Sequence, residues 1–376
     1  MSGFSALDHA MMARALRLAA RGVFTTHPNP HVGCVITRDG KIVGEGWHQR
    51  AGESHAEVFA LRAAGDAARG ATAYVTLEPC SHQGRTPPCA DALVRAGVAR
   101  VVAAADDPNP KAGGGLARLR AAGIVAEAGL LRALARELNR GFFSRFERGR
   151  PWVRVKLAMS LDGRTALSNG AARWITGDAA RADVQRWRAR SSAILTGAGT
   201  VRADDPRLTV RLPATPGAPA FGPVPAREAL QPLRVVLDTH LDALRARMNL
   251  LDGGASTLVI HAPGAKFVDK CYMDVELAEV AADATGHLDL AAVLQLLARR
   301  GVNEVQVEAG PTLCGALFGQ GLVDELLLYV APVLLGDTAR PLLALPALAD
   351  MTARWKLRLV DLRRVGGDSR WLLRPA

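Results

Sequence analysis

The apolar positions along the chain change period several times, and each change marks an element. Over residues 8–22 they recur at helical spacing, which predicts an amphipathic helix with Asp8 as N-cap and Gly22 as its stop. Residues 32–37 and 41–47 are short apolar runs joined by Arg38, Asp39 and Gly40, a turn of the kind that reverses a strand. Next come a helix from about Ala56, a strand over 72–77, a helix after Cys89, a strand over 100–105, and a further helix and strand. Residues 130–146 read as one more amphipathic helix. Arg148, Gly149, Arg150 and Pro151 then break the pattern before a new strand over 152–159, and the domain boundary is placed there, with domains over 1–148 and 151–376. The second domain alternates again, with strands over 193–197, 233–238, 257–261, 304–308 and 325–331 and helices near 178–191 and 288–299. Such alternation predicts an α/β fold in both domains. The Pro-, Gly- and Ala-rich stretch 212–232 reads as a long surface loop within the second.

Composition narrows the class. With 49% hydrophobic and 22% charged residues over 376 positions, the chain has the averages of a folded globular protein and enough apolar side chains for two cores. It has no run of 18 apolar residues and no basic start followed by an apolar stretch and a cleavage site. No membrane association is therefore expected, and a cytoplasmic location is. Five cysteines, an odd number without regular spacing, argue for metal or buried thiols over disulfides. The formal charge is +11, and it is shared. Residues 1–150 carry 20 basic and 13 acidic side chains, the remainder 27 and 23. A spread excess of this kind reads first as a solvated surface and next as attraction for an anionic small molecule.

Chemistry concentrates in two segments. GESHAEVFAL places His55 at the start of a predicted helix with Glu57 two residues on, and TLEPCSHQGRTPPCADAL places Cys80 and Cys89 between a strand and the next helix. One imidazole and two thiolates make three ligands, and three leave a coordination position of zinc open for water, whereas structural sites close with four. Zinc lowers the pKa of that water from about 15.7 toward roughly 7. Glu57 is then placed to carry protons between water, ring nitrogen and departing amine. HxE followed by PC and a later Cys is the signature of zinc deaminases of nucleobases. Positive helix ends near His55 and Cys89 favour thiolate. His82 inside the loop is read as facing substrate or solvent rather than metal, and Cys34, inside an apolar strand, as core packing.

These strings resemble the bifunctional riboflavin biosynthesis family, a deaminase fused to a reductase, over nearly the whole chain. In the first half the resemblance rests on NPHVGCV (29–35), GWHQRAGESHAE (46–57), TLEPCSHQGRTPPC (76–89) and DDPNPKAGGG (106–115). The eight residues between the cysteines, where deaminases of tRNA or free nucleosides usually have two, are its most informative feature. In the second half it rests on KLAMSLDGRTA (156–166), RWITG (173–177), ILTGAGTVRADDPRLTVR (194–211) and EAGPTLCGAL (308–317). The resemblance implies an N-terminal cytidine-deaminase-like three-layer domain and a C-terminal dihydrofolate-reductase-like domain, both α/β, with Zn2+ and NADPH as cofactors. It implies that Asn29, His48 and residues of the 82–86 loop hold the pyrimidine or its ribose phosphate. For the reductase it implies cofactor contacts at Ala158, Trp174, Thr200, Asp204, Gly310, Pro311, Thr312, Leu313, Cys314, Gly315 and Ala316. Substrate contacts are implied at Ala172, Arg188, Leu208, Arg211 and Glu308, with Lys156 as a catalytic group near the reacting ribose carbon. Ala172 stands where relatives often carry Ser, so one side-chain contact is lost or replaced by backbone.

Residue chemistry supports this second half in part. No GxGxxG follows a strand. A Gly-Pro turn opening a helix directly after the strand over 304–308 does offer backbone amides and a positive helix end to phosphate. Arg188 and Arg211 have the guanidinium fork that suits a substrate phosphate. The expected function is deamination of 2,5-diamino-6-(5-phosphoribosylamino)pyrimidin-4(3H)-one to the uracil by zinc hydroxide, then NADPH reduction of the ribosyl to the ribityl side chain. The partner expected is this small pyrimidine ribotide, not nucleic acid, and a homo-oligomer is expected. Two rivals are a nucleic-acid deaminase, which the basic charge favours and the cysteine spacing disfavours, and a zinc-stabilised nucleotide-binding module without turnover.

Overall fold

The computed structural model describes residues 3–83, 87–212, 230–267 and 269–376. Most of the predicted 212–232 loop, and Gly84, Arg85 and Thr86 of the cysteine loop, lie outside them. The chain divides into two compact units, one from residues up to Arg148, to which Leu230 also belongs, and one from Gly149 onward.

The first unit opens with α1 (Ala6–Ala19). Its N-cap is Ser5, whose hydroxyl accepts from the Asp8 amide while the Asp8 carboxylate accepts from the Ser5 amide. Asp8 is therefore the third residue of a capping box rather than the cap itself. Strands β1 (Gly33–Arg38) and β2 (Lys41–Trp47) form the expected hairpin, with Asp39 and Gly40 both at positive φ, as a tight primed turn requires. Then follow α2 (Ala56–Ala64), β3 (Thr72–Val75), α3 (Cys89–Ala96), β4 (Arg100–Ala103), α4 (Gly115–Ala121) and β5 (Val125–Ala128). The helix predicted over 130–146 is two, α5 (Arg132–Leu138) and α6 (Arg140–Arg148). Asn139 interrupts them because its side chain is exchanged with the backbone of His31 in both directions.

Among the described residues the sheet of this unit runs β2-β1-β3-β4-β5, with β3, β4 and β5 parallel. Alternate residues of each strand point to opposite faces. Cys34, Ile36, Ala73, Val75 and Val101 pack against α2, α3 and α4, and Val35, Tyr74 and Val102 pack against α1, α5 and α6. The result is three layers. A Cβ at Gly46 would come within 2.4 Å of the Ala56 carbonyl, so glycine there allows the start of α2 to lie directly on β2.

In the second unit come β6 (Trp152–Ser160), β7 (Arg164–Ala166), α7 (Asp178–Arg190), β8 (Ala193–Gly197), α8 (Ala198–Asp204), β9 (Leu233–Leu237), β10 (Thr257–His261), β11 (Glu276–Glu279), α9 (Leu290–Arg299), β12 (Glu304–Val307), α10 (Pro311–Gly319), β13 (Glu325–Ala331), β14 (Arg340–Pro341), β15 (Leu357–Val365) and β16 (Asp368–Pro375). The described residues form a nine-stranded sheet in the order β11-β10-β9-β8-β12-β6-β13-β16-β15. It is parallel as far as β13 and antiparallel through β16 and β15. The pattern analysis did not predict β11, β15 or β16. No helix among the described residues is long and apolar enough to cross a membrane.

Arg154, fully buried on β6, ties the middle of this sheet together. Its Nε donates to Glu325 on β13 at 2.7 Å and an Nη to Glu304 on β12 at 2.8 Å, while its guanidinium lies 4.6 Å from the centre of the Trp187 ring on α7. Replacing it with an apolar side chain removes the ion pairs that join β6 to β12 and β13; Glu304 keeps Arg190 at 3.4 Å and Glu325 keeps Arg374 at 3.0 Å, so the loss is expected below the roughly 3–5 kcal/mol of a buried charge left uncompensated. We expect Arg154→Leu to lower the urea midpoint of this unit clearly, followed by tryptophan fluorescence, since five of the chain's six tryptophans lie in it. An unchanged midpoint would refute a stabilising role for the cluster.

Candidate active sites

His55 is the N-cap of α2, with extended backbone and no side-chain capping bond, so its ring is free to turn to the end of the sheet. Cys89 is the first residue of α3, and its amide donates to the Cys80 sulfur at 3.3 Å. Cys80 is held in place from below. Its carbonyl accepts the Ala90 amide, and the neighbouring Ser81 amide donates to Ala112 O. A Cβ at Gly115 would lie 1.7 Å from the Pro79 carbonyl, so only glycine lets α4 begin against this loop. Glu78 accepts from the amides of Gly114 and Leu116 at 3.0 Å each, capping α4 from a different segment and fixing the residues before Cys80.

These supports bring His55, Cys80 and Cys89 together, with ligand atoms all within 4.8 Å of one another. His55 Nδ1 lies 3.2 Å from Cys89 Sγ and 3.6 Å from Cys80 Sγ. Zinc at about 2.0 Å from nitrogen and 2.3 Å from sulfur in a tetrahedron needs N···S edges of roughly 3.6 Å, so the donor set fits that ion. His82 lines the cavity but is outside this group. Glu57, the second residue of α2, is buried, and its Oε2 has no hydrogen-bond partner. Burial pushes its carboxyl up to about 7, against the pull of the His55 ring.

Two of the three ligands, His55 and Cys80, open on a cavity of about 440 Å³, with Cys89 buried behind them. Asn29 and His48 line it. The His48 Nδ1 faces the Ser54 carbonyl at 3.1 Å, which can only accept, so Nδ1 carries the proton and Nε2 accepts from the Asn29 amide at 3.0 Å. Burial lowers the His48 pKa and keeps the ring neutral in that role. Glu53, Asp107, Phe142 and Arg145 also line the cavity and were not singled out from sequence. Asp107 lies in the DDPNPKAGGG string, which gave a location but no role; burial pushes its carboxyl up to about 6.

In the second unit the sheet supplies the site's position. From β8 the chain moves outward to β9, and from β12 it crosses β6 to reach β13, so the connections diverge at the carboxyl ends of β8 and β12. That divergence is where parallel α/β sheets place ligands. The ends are stitched together by the Glu308 amide on Leu195 O and the Thr196 hydroxyl on Glu308 O. Gly310 caps α10 without a side-chain bond, Pro311 follows at the first helical position, and a Cβ at Gly310 would meet nothing, which leaves helix amides open to a phosphate. NADPH fits this arrangement.

Several predicted residues gather here and some point elsewhere. The Arg188 fork is spent inside the protein: Nε and Nη2 each donate to Glu308 at 2.7 Å, and Nη1 donates to the Thr209 carbonyl. It therefore orients Glu308 and is not a free phosphate clamp, as the sequence reading had it. Burial opposes the charge of Glu308, but Arg188 beside it holds the carboxyl down to about 2. Lys156 faces this pair and has its pKa lowered by burial, with Glu308 opposing. The side chain of Leu208, at positive φ, is in the core with Val201 and Val236, so only its backbone can meet substrate. Cys314 is buried in the sheet core, and Gly315 abuts the Ala344 backbone; neither has a side chain to offer a cofactor. Trp174 is exposed, with Arg181 stacked at 4.4 Å from its ring centre, and Arg173 donates to Asp204 O, drawing RWITG to the end of α8. Ala158 and Thr200 are half-buried, and Ala172, Asp204 and Arg211 are exposed.

Comparison with known proteins matches both units to known families. Residues 5–105 match the cytidine and deoxycytidylate deaminase zinc-binding region, and residues 151–369 match the RibD C-terminal domain. The chain is 50% identical to riboflavin biosynthesis protein RibD of Escherichia coli K12, over 96% of this chain and 97% of that one. Acinetobacter baumannii RibD, form 1, superposes with a TM-score of 0.89 at 43% identity, covering 98% of this chain and 99% of that one. A Thermotoga maritima protein described as a diaminohydroxyphosphoribosylaminopyrimidine deaminase/5-amino-6-(5-phosphoribosylamino)uracil reductase superposes at 0.84 with 31% identity over the same shares. The chain thus belongs to the RibD family of riboflavin biosynthesis enzymes, a zinc-dependent deaminase joined to an NADPH-dependent reductase.

Proposed function

We propose that the first unit deaminates a diaminopyrimidine ribotide and the second reduces the ribosyl group of the product, with the phosphate retained throughout. The observation that carries the first step is the convergence of His55, Cys80 and Cys89 beside a buried carboxyl with an unpartnered oxygen. Zinc held by those three residues would supply Lewis acidity to the attacking water. Glu57 takes a proton from the attacking water and passes it to the ring nitrogen; as the new C–O bond becomes the carbonyl it takes the second water proton and passes that to the leaving amine. Water and the C–NH2 group become a carbonyl and ammonia. Asn29, held by neutral His48, presents its amide to the pyrimidine edge.

For the second step NADPH supplies the hydride. The N-terminus of α10 from Gly310 to Leu313 would hold its phosphate, and Ala158, Trp174, Thr200 and Asp204 would contact the rest of it. Lys156 Nζ donates a hydrogen bond to the oxygen at the anomeric carbon as the ribose opens, and Glu308, locked by Arg188, keeps that ammonium charged and aimed. Arg211 is left as the exposed guanidinium for the substrate. The enzyme works in the cytoplasm as a homo-oligomer. The support for assembly is β15, an edge strand whose Leu357, Leu359, Val360 and Leu362 are each at least 38% exposed; an open apolar edge matches a second copy of itself.

Glu57→Gln should keep its zinc by metal analysis and lose ammonia release by about 10²–10⁴-fold. NADPH oxidation should then vanish with the undeaminated ribotide and persist with the uracil product, which fixes the order of steps. Retained deamination would sink the assignment. Lys156→Ala should show the reverse split, with normal ammonia release and reduction slowed at least about 100-fold. Because burial lowers the Lys156 pKa, the ammonium is present at low pH and lost as pH rises through the lowered value; reduction should therefore fall on an alkaline limb below the ordinary lysine value of 10.5. Leu359→Glu with Leu362→Glu should convert the assembly to a monomer in sedimentation, and an unchanged species would exclude β15 as the interface.

A further inference from the structure

We propose that Tyr329 is a positioning residue for Lys156: the face of its ring holds the lysine ammonium in place for the reduction step. The inference rests on reading Lys156 as the group that meets the ribose oxygen, and it names what steadies a side chain that no hydrogen bond fixes.

Lys156 is the loose member of a bound set. Arg154 and Lys156 on β6 share a sheet face with Glu304, Gln306 and Glu308 along β12 and its end, and with Glu325 and Tyr329 on β13. Arg154 is bonded to Glu304 and Glu325, and Arg188 on α7 to Glu308. Among the described residues Lys156 makes no hydrogen bond and no salt bridge. Its long stem is flexible, so the backbone alone does not set the direction of Nζ. Burial favours the neutral amine; Glu308 opposes that from a distance, and Arg188 on the same carboxylate works against Glu308.

The ring beside the lysine is fixed. Lys156 Nζ lies 5.9 Å from the centre of the Tyr329 ring. An ammonium within about 6 Å of an aromatic centre is drawn to the negative face of the ring. Tyr329 is fully buried, and Ala180, Val184 and Leu372 pack around it. Its hydroxyl donates to Asp183 Oδ2 on α7 at 2.7 Å, and the same oxygen accepts from Arg370 Nη1 on β16 at 3.0 Å. Burial and the Asp183 charge push the phenol well above its ordinary value, so it stays protonated and supplies no acid to the reaction. A phenol that donates to a carboxylate also carries more electron density in its ring. The formal charges around Lys156 are largely matched: Arg154 by Glu304 and Glu325, Arg188 by Glu308, and Arg370 by Asp183. What is left for the ammonium is the ring face.

The test changes the electrons of the ring and keeps its shape. Full-length, zinc-loaded chains carrying phenylalanine, then mono-, di- and trifluorinated phenylalanine in place of Tyr329, are given the deaminated uracil ribotide, and NADPH oxidation is followed against pH. Fluorine drains the ring face stepwise while the volume stays nearly constant. Removing the attraction destabilises the ammonium, so the Lys156 pKa falls further and the ammonium is lost at lower pH. We expect the alkaline limb of kcat to move down by roughly half a unit to one and a half units across the series. At a fixed pH on that limb kcat should fall about 3- to 30-fold, with KM for NADPH constant within about twofold. A limb that stays in place across the series would overturn the assignment. So would a loss already complete in Tyr329→Phe, which would mark the bond to Asp183 as the part that matters. If Lys156→Ala reduces the uracil ribotide at the unaltered rate, the reading of Lys156 fails and the role of Tyr329 falls with it. A slow Lys156→Ala beside a limb indifferent to fluorine refutes the positioning role alone.

Discussion

A parallel strand cannot turn straight back. It must hand the chain to a crossover, usually a helix, and the crossover begins at the carboxyl end of the strand. Both units depend on that constraint, because it gathers loop residues and helix starts from separate strands at one edge of a sheet. In the first, β3 leads through Cys80 to Cys89 at the start of α3, and β4 leads through Asp107 to α4. His55, which follows β2, arrives at the same edge because glycine lets α2 begin directly on that strand. In the second, β8 and β12 end side by side and give way to α8 and α10. Chemistry then needs only the right side chains at the junctions. Backbone amides and positive helix ends are already there.

This explains why so much was legible in the sequence and why the rest was not. His55, Glu57, Cys80 and Cys89 are separated along the chain by amounts that make sense only if each opens or precedes a helix, so their spacing carries the geometry. The β1–β2 hairpin was readable for the same local reason, since Asp39 and Gly40 adopt the positive φ that the turn demands. Local rules failed where tertiary contacts decide. Asp8 has the chemistry of an N-cap, but Ser5 three residues earlier completes a capping box with it, and the first turn shifts. The helical period over 130–146 says nothing of the exchange between Asn139 and His31 that splits α5 from α6. Strand β15 has apolar and charged residues on both faces, so neither a period of two nor one of 3.6 identifies it. Arg145 and Glu53 reach the cavity only through packing, and no motif marks them.

The resemblance was also more reliable for places than for side chains. Cys314 and Leu208 lie in the implied segments, yet their side chains are committed to the core. A segment can touch a ligand through its backbone while its side chain holds the segment in position. The exposed amides at the head of α10 and the buried thiol one turn later are two halves of that arrangement.

Arg188 shows the same division of labour in charged form. Read alone, its guanidinium is a phosphate fork, but Glu308 takes both prongs and Gln306 adds a further hydrogen bond to the same carboxylate. Breaking such a pair leaves an uncompensated charge in a dry site, so the pair is rigid even where its net contribution to stability is small. Rigidity is what Lys156 requires. Burial alone would favour the neutral amine, and a carboxylate free to rotate would stabilise the ammonium only intermittently. Glu308, fixed in its anionic form, opposes that effect of burial on the lysine. The two units thus solve opposite problems. The reductase unit sets a buried lysine beside a locked anion, whereas the deaminase cavity is lined largely with carboxyls, Glu53, Glu57, Glu78 and Asp107.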